Sequence, residues 1–180
     1  WQTLKDRYEL FQTLDVHGGQ SSDISIYYDR KSKAQDEEDK VILVKRLDSN
    51  KTNIQNELWL QNNNLKRLES KAGIIDYDHE SEVPKWFAYE YRKLILKSGA
   101  NDTVVSDLYG YIEKNKNISF NERLDLCRKF LSILEDLHVK AKVTHLDLHP
   151  SNLLIFRNKD NEICLELTDF LSSKIVDHVG

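Results

Sequence analysis

Cysteine is scarce in this chain of 180 residues. Cys127 and Cys164 are the two present, and neither belongs to a C-x-x-C pair or to a His/Cys cluster with metal-ligand spacing. A thiolate metal site is excluded, and both thiols are expected to be buried in a reducing compartment. Long apolar runs are missing too. None approaches the roughly 20 residues that span a bilayer, and the opening WQTLKDRYEL has no signal-peptide core. No membrane span is expected, and the expected location is cytoplasmic. Clustered positive charge is also absent: the formal net charge is -4 and the pI is near 5.9. This argues against nucleic acid as the main partner, because phosphate backbones reward grouped Lys and Arg. No internal repeat and no low-complexity tract interrupts the sequence.

Hydrophobic residues make up 39% of the chain and charged residues 31%, which is too apolar for disorder and ordinary for a packed domain. The length suffices for one sizeable core or two small lobes sharing a cleft. A start at Trp1 and a stop at Gly180 read as an excerpt of a longer protein.

Along the chain, YELFQTL (residues 8 to 14) reads as a strand, DVHGGQSSD as a glycine turn and ISIYYD (24 to 29) as a second strand. The mixed-charge stretch 30 to 40 has no apolar periodicity and reads as a solvated connector. KVILVKRL (40 to 47) reads as a buried strand carrying one lysine, Lys45. Ser49 or Asn50 is placed to cap a helix from about Thr52 to Glu69. Ile54, Leu58, Leu65 and Leu68, joined by Trp59, form its apolar stripe, and Glu57 rides on it. Strands are predicted over 72 to 78 and 84 to 91, so the first half reads β-β-β-α-β-β. A short helix follows over VVSDLYGYIEKN. Ser119 and Glu122 then form a capping box. Behind it Leu124, Cys127, Leu131, Leu134 and Leu137 or His138 fall at helical spacing. Last come a loop, a strand, an RNKDN turn and a second strand leading to Asp169.

The chemistry concentrates in His145-Leu146-Asp147-Leu148-His149-Pro150-Ser151-Asn152, with Thr168-Asp169-Phe170 after it; Asp169 stands 17 residues past Asn152. Taken alone, Asp147 and Asn152 beside Pro150 could simply build a turn through Asx-type hydrogen bonds. Zinc is a poor reading of His145 and His149: the zincin pattern needs a helix and a Glu directly after the first His, whereas Leu146 and Pro150 stand here.

Together the two segments resemble the catalytic loop H-R-D-L-x-x-x-N and the D-F-G motif of protein kinases. V-I-L-V-K, ending at Lys45, is similar to that family's V-A-I-K strand, and Glu57 occupies the matching helix position. FAYEYRK looks like the fifth strand running into the hinge between lobes. The resemblance implies an α+β, two-lobed kinase-like fold, with a strand-rich lobe over 1 to 91 and part of a helical lobe over 92 to 180. It implies transfer of the γ-phosphate of ATP to a hydroxyl, with Mg²⁺ on the phosphates. In that chemistry Asp147 is the base, Asn152 and Asp169 hold the metal, and Lys45 paired with Glu57 positions the phosphates. His149 stands where many Ser/Thr kinases carry a phosphate-steadying lysine. The backbone of Glu90, Tyr91 and Arg92 would hold the adenine, with Tyr89 behind it, and Gly18 and Gly19 would line the phosphate loop. His145 would anchor the catalytic loop to backbone.

Departures from the pattern qualify the reading. Gly18 and Gly19 are fewer glycines than G-x-G-x-x-G supplies for close backbone approach to phosphate. Leu171 replaces the glycine of D-F-G, and the A-P-E segment does not occur. The expected partners are therefore ATP and a protein with a Ser or Thr hydroxyl. A small alcohol as acceptor, as in aminoglycoside phosphotransferases, and a non-catalytic pseudokinase that serves as a binding module stay open.

Overall fold

The computed structural model describes residues 2–14, 24–30, 41–48, 50–90, 94–96, 103–105, 107–158, 160 and 162–176. The fold is mixed α+β, with a five-stranded antiparallel sheet. It forms two compact units, Trp1–Leu58 with Gly73–Tyr91, and Trp59–Ala72 with Arg92–Gly180.

The first unit opens with a helix the sequence did not announce, α1 (Gln2–Arg7). Strands β1 (Tyr8–Leu14), β2 (Ile24–Asp29), β3 (Val41–Arg46), β4 (Ile74–Tyr77) and β5 (Trp86–Glu90) follow. The sheet runs in the order β1-β2-β3-β5-β4. The apolar run VILV is accounted for by position: β3 lies between β2 and β5, and Ile42, Leu43 and Val44 are all buried. Cross-strand register sorts the two faces. Ile42, Val44, Trp86 and Ala88 pack with Leu4 and Tyr8 of the α1 region into one apolar cluster. Arg7 fastens α1 over this face by donating to Asp76 at 2.7 Å and Asp29 at 3.2 Å, while the Tyr8 hydroxyl donates to Asp76 at 2.8 Å. The β4–β5 connection is a polar turn built on Asp78, whose carboxylate accepts from the backbone of Glu80, Ser81 and Lys85.

Helix α2 (Lys51–Asn63) starts where Asn50 Oδ1 accepts from Asn53 N at 2.9 Å. It ends earlier than predicted and continues as a 3-10 turn, Leu65–Arg67. Its buried line is Ile54, Glu57, Leu60, Leu65 and Leu68, whereas Trp59 is 48% exposed. The expected place of Trp59 in the stripe is therefore corrected: it lies two positions past Glu57, around the helix from the buried line.

In the second unit, β6 (Leu94–Leu96) pairs with β7 (Thr103–Val105). Val104 and Val105, predicted helical, are β-branched residues in a strand. Helix α3 (Leu108–Lys114) begins later, capped by Asp107 accepting from Gly110 N at 2.7 Å. Helix α4 (Phe120–Glu135) begins at Ser119, whose hydroxyl accepts from Glu122 N at 3.2 Å. The Glu122 carboxylate accepts from the Tyr111 hydroxyl, and burial with this partner holds the Tyr111 phenol up to about 12. The buried stripe of α4 is Leu126 and Ile133, flanked by Phe130, in place of the predicted Leu124, Cys127 and Leu131; it continues into Leu137, which is buried as predicted. Leu124 and Leu131 are exposed, as is Cys127, and Cys164 is half-buried, so neither thiol lies in the core as expected. A chain with two apolar registers on one helix gives no local signal for which one the core takes.

A π-helical turn, Asp136–Ala141, carries α4 to β8 (Val143–Thr144), which pairs with β11 (Lys174–Ile175). Strands β9 (Leu153–Arg157) and β10 (Ile163–Leu167) form a hairpin. Its RNKDN turn closes on Asn158 Oδ1, which accepts from the backbone of Asp160 and Glu162. Among the described residues no helix is long and apolar enough to cross a membrane.

Replacing the α4 cap by Ser119→Ala is expected to cost about 1 kcal/mol, with Ser119→Asp losing little. Denaturant unfolding of the three proteins measures it; equal midpoints for all three would contradict the capping role.

Candidate active site

The site grows from β10 and the segment before β9. Residues 70 to 72 lie alongside the end of β10. Ala72 N donates to Leu167 O at 2.8 Å and Leu167 N to Ser70 O at 3.0 Å. Lys71, beside this bridge, donates to Gln61 Oε1 at 2.9 Å, and burial lowers its ammonium pKa against the pull of Glu166. The last residue of β10 is thus fixed through both its N–H and its C=O just before Thr168 and Asp169.

The loop segment from His145 to Asn152 is held to that strand end by its own first residue. His145 is fully buried. Its Nε2 lies 2.9 Å from Thr168 O, and its Nδ1 accepts from Asp147 N at 3.3 Å. A carbonyl can only accept, so Nε2 carries the hydrogen and Nδ1 the lone pair. The neutral ring satisfies both contacts; a second proton, on Nδ1, would face the Asp147 N–H. Burial lowers the His145 pKa, while the Thr168 hydrogen bond and the charges of Asp169 and Asp147 oppose that shift. The expected anchoring of the loop by His145 is what the geometry displays. The far side of His145 is closed by Phe170, its ring centroid 5.1 Å away, and by Ser173, whose hydroxyl donates to His145 O at 3.2 Å.

Asn152 ties the other end. A 3-10 turn, Pro150–Asn152, brings its N–H to His149 O at 2.9 Å. Its Nδ2 donates to Asp147 O at 2.9 Å, and Thr168 N donates to Asn152 O at 3.0 Å. Thr168 is therefore bracketed by His145 and Asn152. This puts Asp169, the next residue, beside the loop that carries Asp147. The Asp147 side chain is 53% exposed, with His149 Nε2 3.8 Å from its Oδ2. Asp169 is half-buried in the left-handed region, φ 66°.

Among the described residues, non-glycine positive φ occurs at Lys142, Leu146 and Asp169. Each costs on the order of 1–2 kcal/mol, and such conformations persist where surrounding contacts over-determine them. Leu146 adjoins Asp147, Asp169 is itself the second carboxylate of interest, and Lys142 precedes β8. The hydrogen bonds on either side of Leu146 and Asp169 supply that determination.

Lys45 and Glu57 lie in the first unit. Lys45 pairs in register with Phe87, and Leu43 with Tyr89, so these four share the face of the sheet opposite the apolar cluster. Glu57 is fully buried and accepts from the Tyr89 hydroxyl at 3.2 Å, so it reaches the same face. Glu90 is the last residue of β5. Gly18, Gly19, Tyr91 and Arg92 lie outside the described residues.

Oxygen donors at Asn152 and Asp169 suit a hard cation. The Asn152 nitrogen is committed to Asp147, leaving its carbonyl oxygen to ligate, and Mg²⁺ commonly takes only one or two carboxylates besides water and phosphate. Among the described residues no group of three or more His, Cys, Asp or Glu side chains gathers to hold a metal by itself. Sequence reasoning missed Thr168, Ser173, Lys71 and Asp107 as supports of this site. Asp107 interacts electrostatically with His149, and burial raises its pKa against the cap hydrogen bond from Gly110. A backbone carbonyl or a small hydroxyl carries no spacing signature that would have revealed the first two.

No family model matches the chain, and no curated protein gives a significant match.

The depressed His145 pKa makes stability depend on pH. The neutral form is favoured in the folded state, so the contribution is complete above about pH 6.5, the unfolded value. It is lost as pH falls through the lower folded value. Between the two, wild type should lose more stability per pH unit than His145→Gln, which does not titrate, by up to ~1.4 kcal/mol, the limit for one proton. Urea unfolding from pH 7.5 to 5 tests this; parallel curves would contradict it.

Proposed function

We propose that the chain is the nucleotide-handling and catalytic portion of a two-lobed, kinase-like phosphotransferase. It moves the γ-phosphate of ATP to a hydroxyl, that of a Ser or Thr of a protein. The observation that carries this reading is the hydrogen-bonded knot of His145, Asp147, Asn152 and Thr168. It joins one exposed carboxylate to two hard-oxygen donors in the order and spacing of the kinase catalytic loop and metal motif.

Bound MgATP supplies the transferable phosphoryl group and neutralises charge on its oxygens. The residues of the chain do the rest. Asp147 projects its carboxylate to solvent from a backbone pinned at both ends, as a base must if it is to meet an acceptor hydroxyl and take its proton. Asn152 and Asp169 offer the metal ligands. Lys45, on a sheet face shared with Glu57, offers the cation for the phosphates. His149 puts a hydrogen-bond donor beside the base.

Asp147→Asn keeps shape and hydrogen bonding but removes the charge that accepts the proton. Turnover against a mixed panel of proteins and small alcohols should fall roughly a hundredfold or more, while the KM for ATP stays put. Equal rates for wild type and Asp147→Asn would mean that Asp147 is not the base. No turnover in either would favour a binding module, and the acceptor consumed separates a protein kinase from a small-molecule one.

A further inference from the structure

We infer that Tyr89 is a positioning residue for phosphate binding, holding the Glu57 carboxylate on the face that carries Lys45. The inference rests on the phosphotransferase reading and gives a second role to a residue that the sequence pattern places behind the adenine.

Glu57 is fully buried, so water cannot meet the needs of its carboxylate. The Tyr89 hydroxyl donates to Glu57 Oε1 at 3.2 Å. Tyr89 is well placed to hold a fixed position. It sits in β5 with Leu43 on one side and Ile74 on the other, and is 3% exposed. Its ring meets that of Phe87 edge-on, centroids 6.5 Å apart. A phenol packed this way has little rotational freedom to lose, and its hydroxyl reaches one defined spot above the sheet.

Lys45 lies two cross-strand pairs further along, opposite Phe87, and is itself 7% exposed. Residues 43 and 45 of β3 and 87 and 89 of β5 point to one face, so the donor that holds Glu57 and the ammonium that would meet the phosphates belong to one array. With Glu57 paired to Lys45, as the kinase resemblance implies, a carboxylate that drifted on α2 would let Lys45 drift too. A hydrogen bond to a charged acceptor, made by a side chain locked in the sheet, opposes that drift. Phenylalanine would fill the same volume without supplying the donor.

The test is a double-mutant cycle on the full chain: wild type, Tyr89→Phe, Glu57→Gln and the double variant, each assayed for kcat and for the KM of MgATP. Tyr89→Phe should lower kcat/KM for ATP about tenfold, the scale of one hydrogen bond to a charged group. In the Glu57→Gln background the same change should cost less than twofold, because the hydroxyl acts through Glu57. Equal losses in both backgrounds, or no loss in Tyr89→Phe, would overturn the inference while leaving the phosphotransferase reading intact. Absence of MgATP binding and turnover in wild type would overturn both. A second readout needs no variant. The Tyr89 hydroxyl proton should exchange slowly enough to be seen by NMR in wild type and should shift when MgATP is added. A resonance that ignores MgATP would count against Tyr89 as strongly as an additive cycle.

Discussion

A single buried imidazole organises the second unit. His145 sits between two backbone groups of opposite need, a Thr168 carbonyl that accepts and an Asp147 N–H that donates. Only the neutral ring with its hydrogen on Nε2 serves both. The supports around it follow from keeping that ring dry and oriented: Phe170 against its face, Ser173 on its carbonyl, and the end of β10 pinned by residues 70 to 72. The consequence is chemical as well as structural. The ring links the loop bearing one carboxylate to the strand end bearing another, and Asn152 closes the same circuit from the other side.

Such a circuit tolerates local cost. Leu146 and Asp169 occupy a backbone region that branched or bulky side chains avoid. Two of the three such residues among the described ones fall at the carboxylates, the third being Lys142 at the end of the π-helical turn, which fits a site whose geometry is imposed by its neighbours. The first unit keeps its polar and apolar needs apart by a different device, strand alternation. One face of the sheet is closed by α1 and the Trp86 cluster, and the other carries Lys45, Leu43, Phe87 and Tyr89.

Much of this was legible beforehand. The strands follow from β-branched runs, the start of α4 from Ser119, and the association of the two motif segments from their resemblance to a known pattern. The α+β class came with them. What could not be read has physical reasons. Helix α4 offers two apolar registers, and the core took Leu126 and Ile133 over Leu124 and Leu131, a choice made by tertiary packing. Helix α1 is six residues long, too short for periodicity to signal, and is stabilised by Arg7 reaching Asp76 and Asp29 far along the chain. Trp59 joins the apolar stripe on paper, but its position on the helix faces away from the buried line. Within the site, the residues named from chemistry were visible. Of those that hold them in place, Thr168 and the segment 70 to 72 act through backbone atoms, which any side chain could accompany, and Ser173 acts through a small hydroxyl with no spacing signature.

The central claim is that the knot around His145 presents Asp169 and Asn152 as ligands for a magnesium ion carried by ATP. The most direct measurement is the melting temperature of the full chain and of Asp169→Ala, each with ATP alone and with ATP plus Mg²⁺. A ligand that binds only the folded state stabilises it by mass action, about 2.7 kcal/mol at a hundred times its Kd. The account predicts that Mg²⁺ adds to the ATP-dependent rise in wild type and adds nothing in Asp169→Ala. If millimolar MgATP moves neither protein, or moves both alike, these side chains do not hold a nucleotide-bound metal.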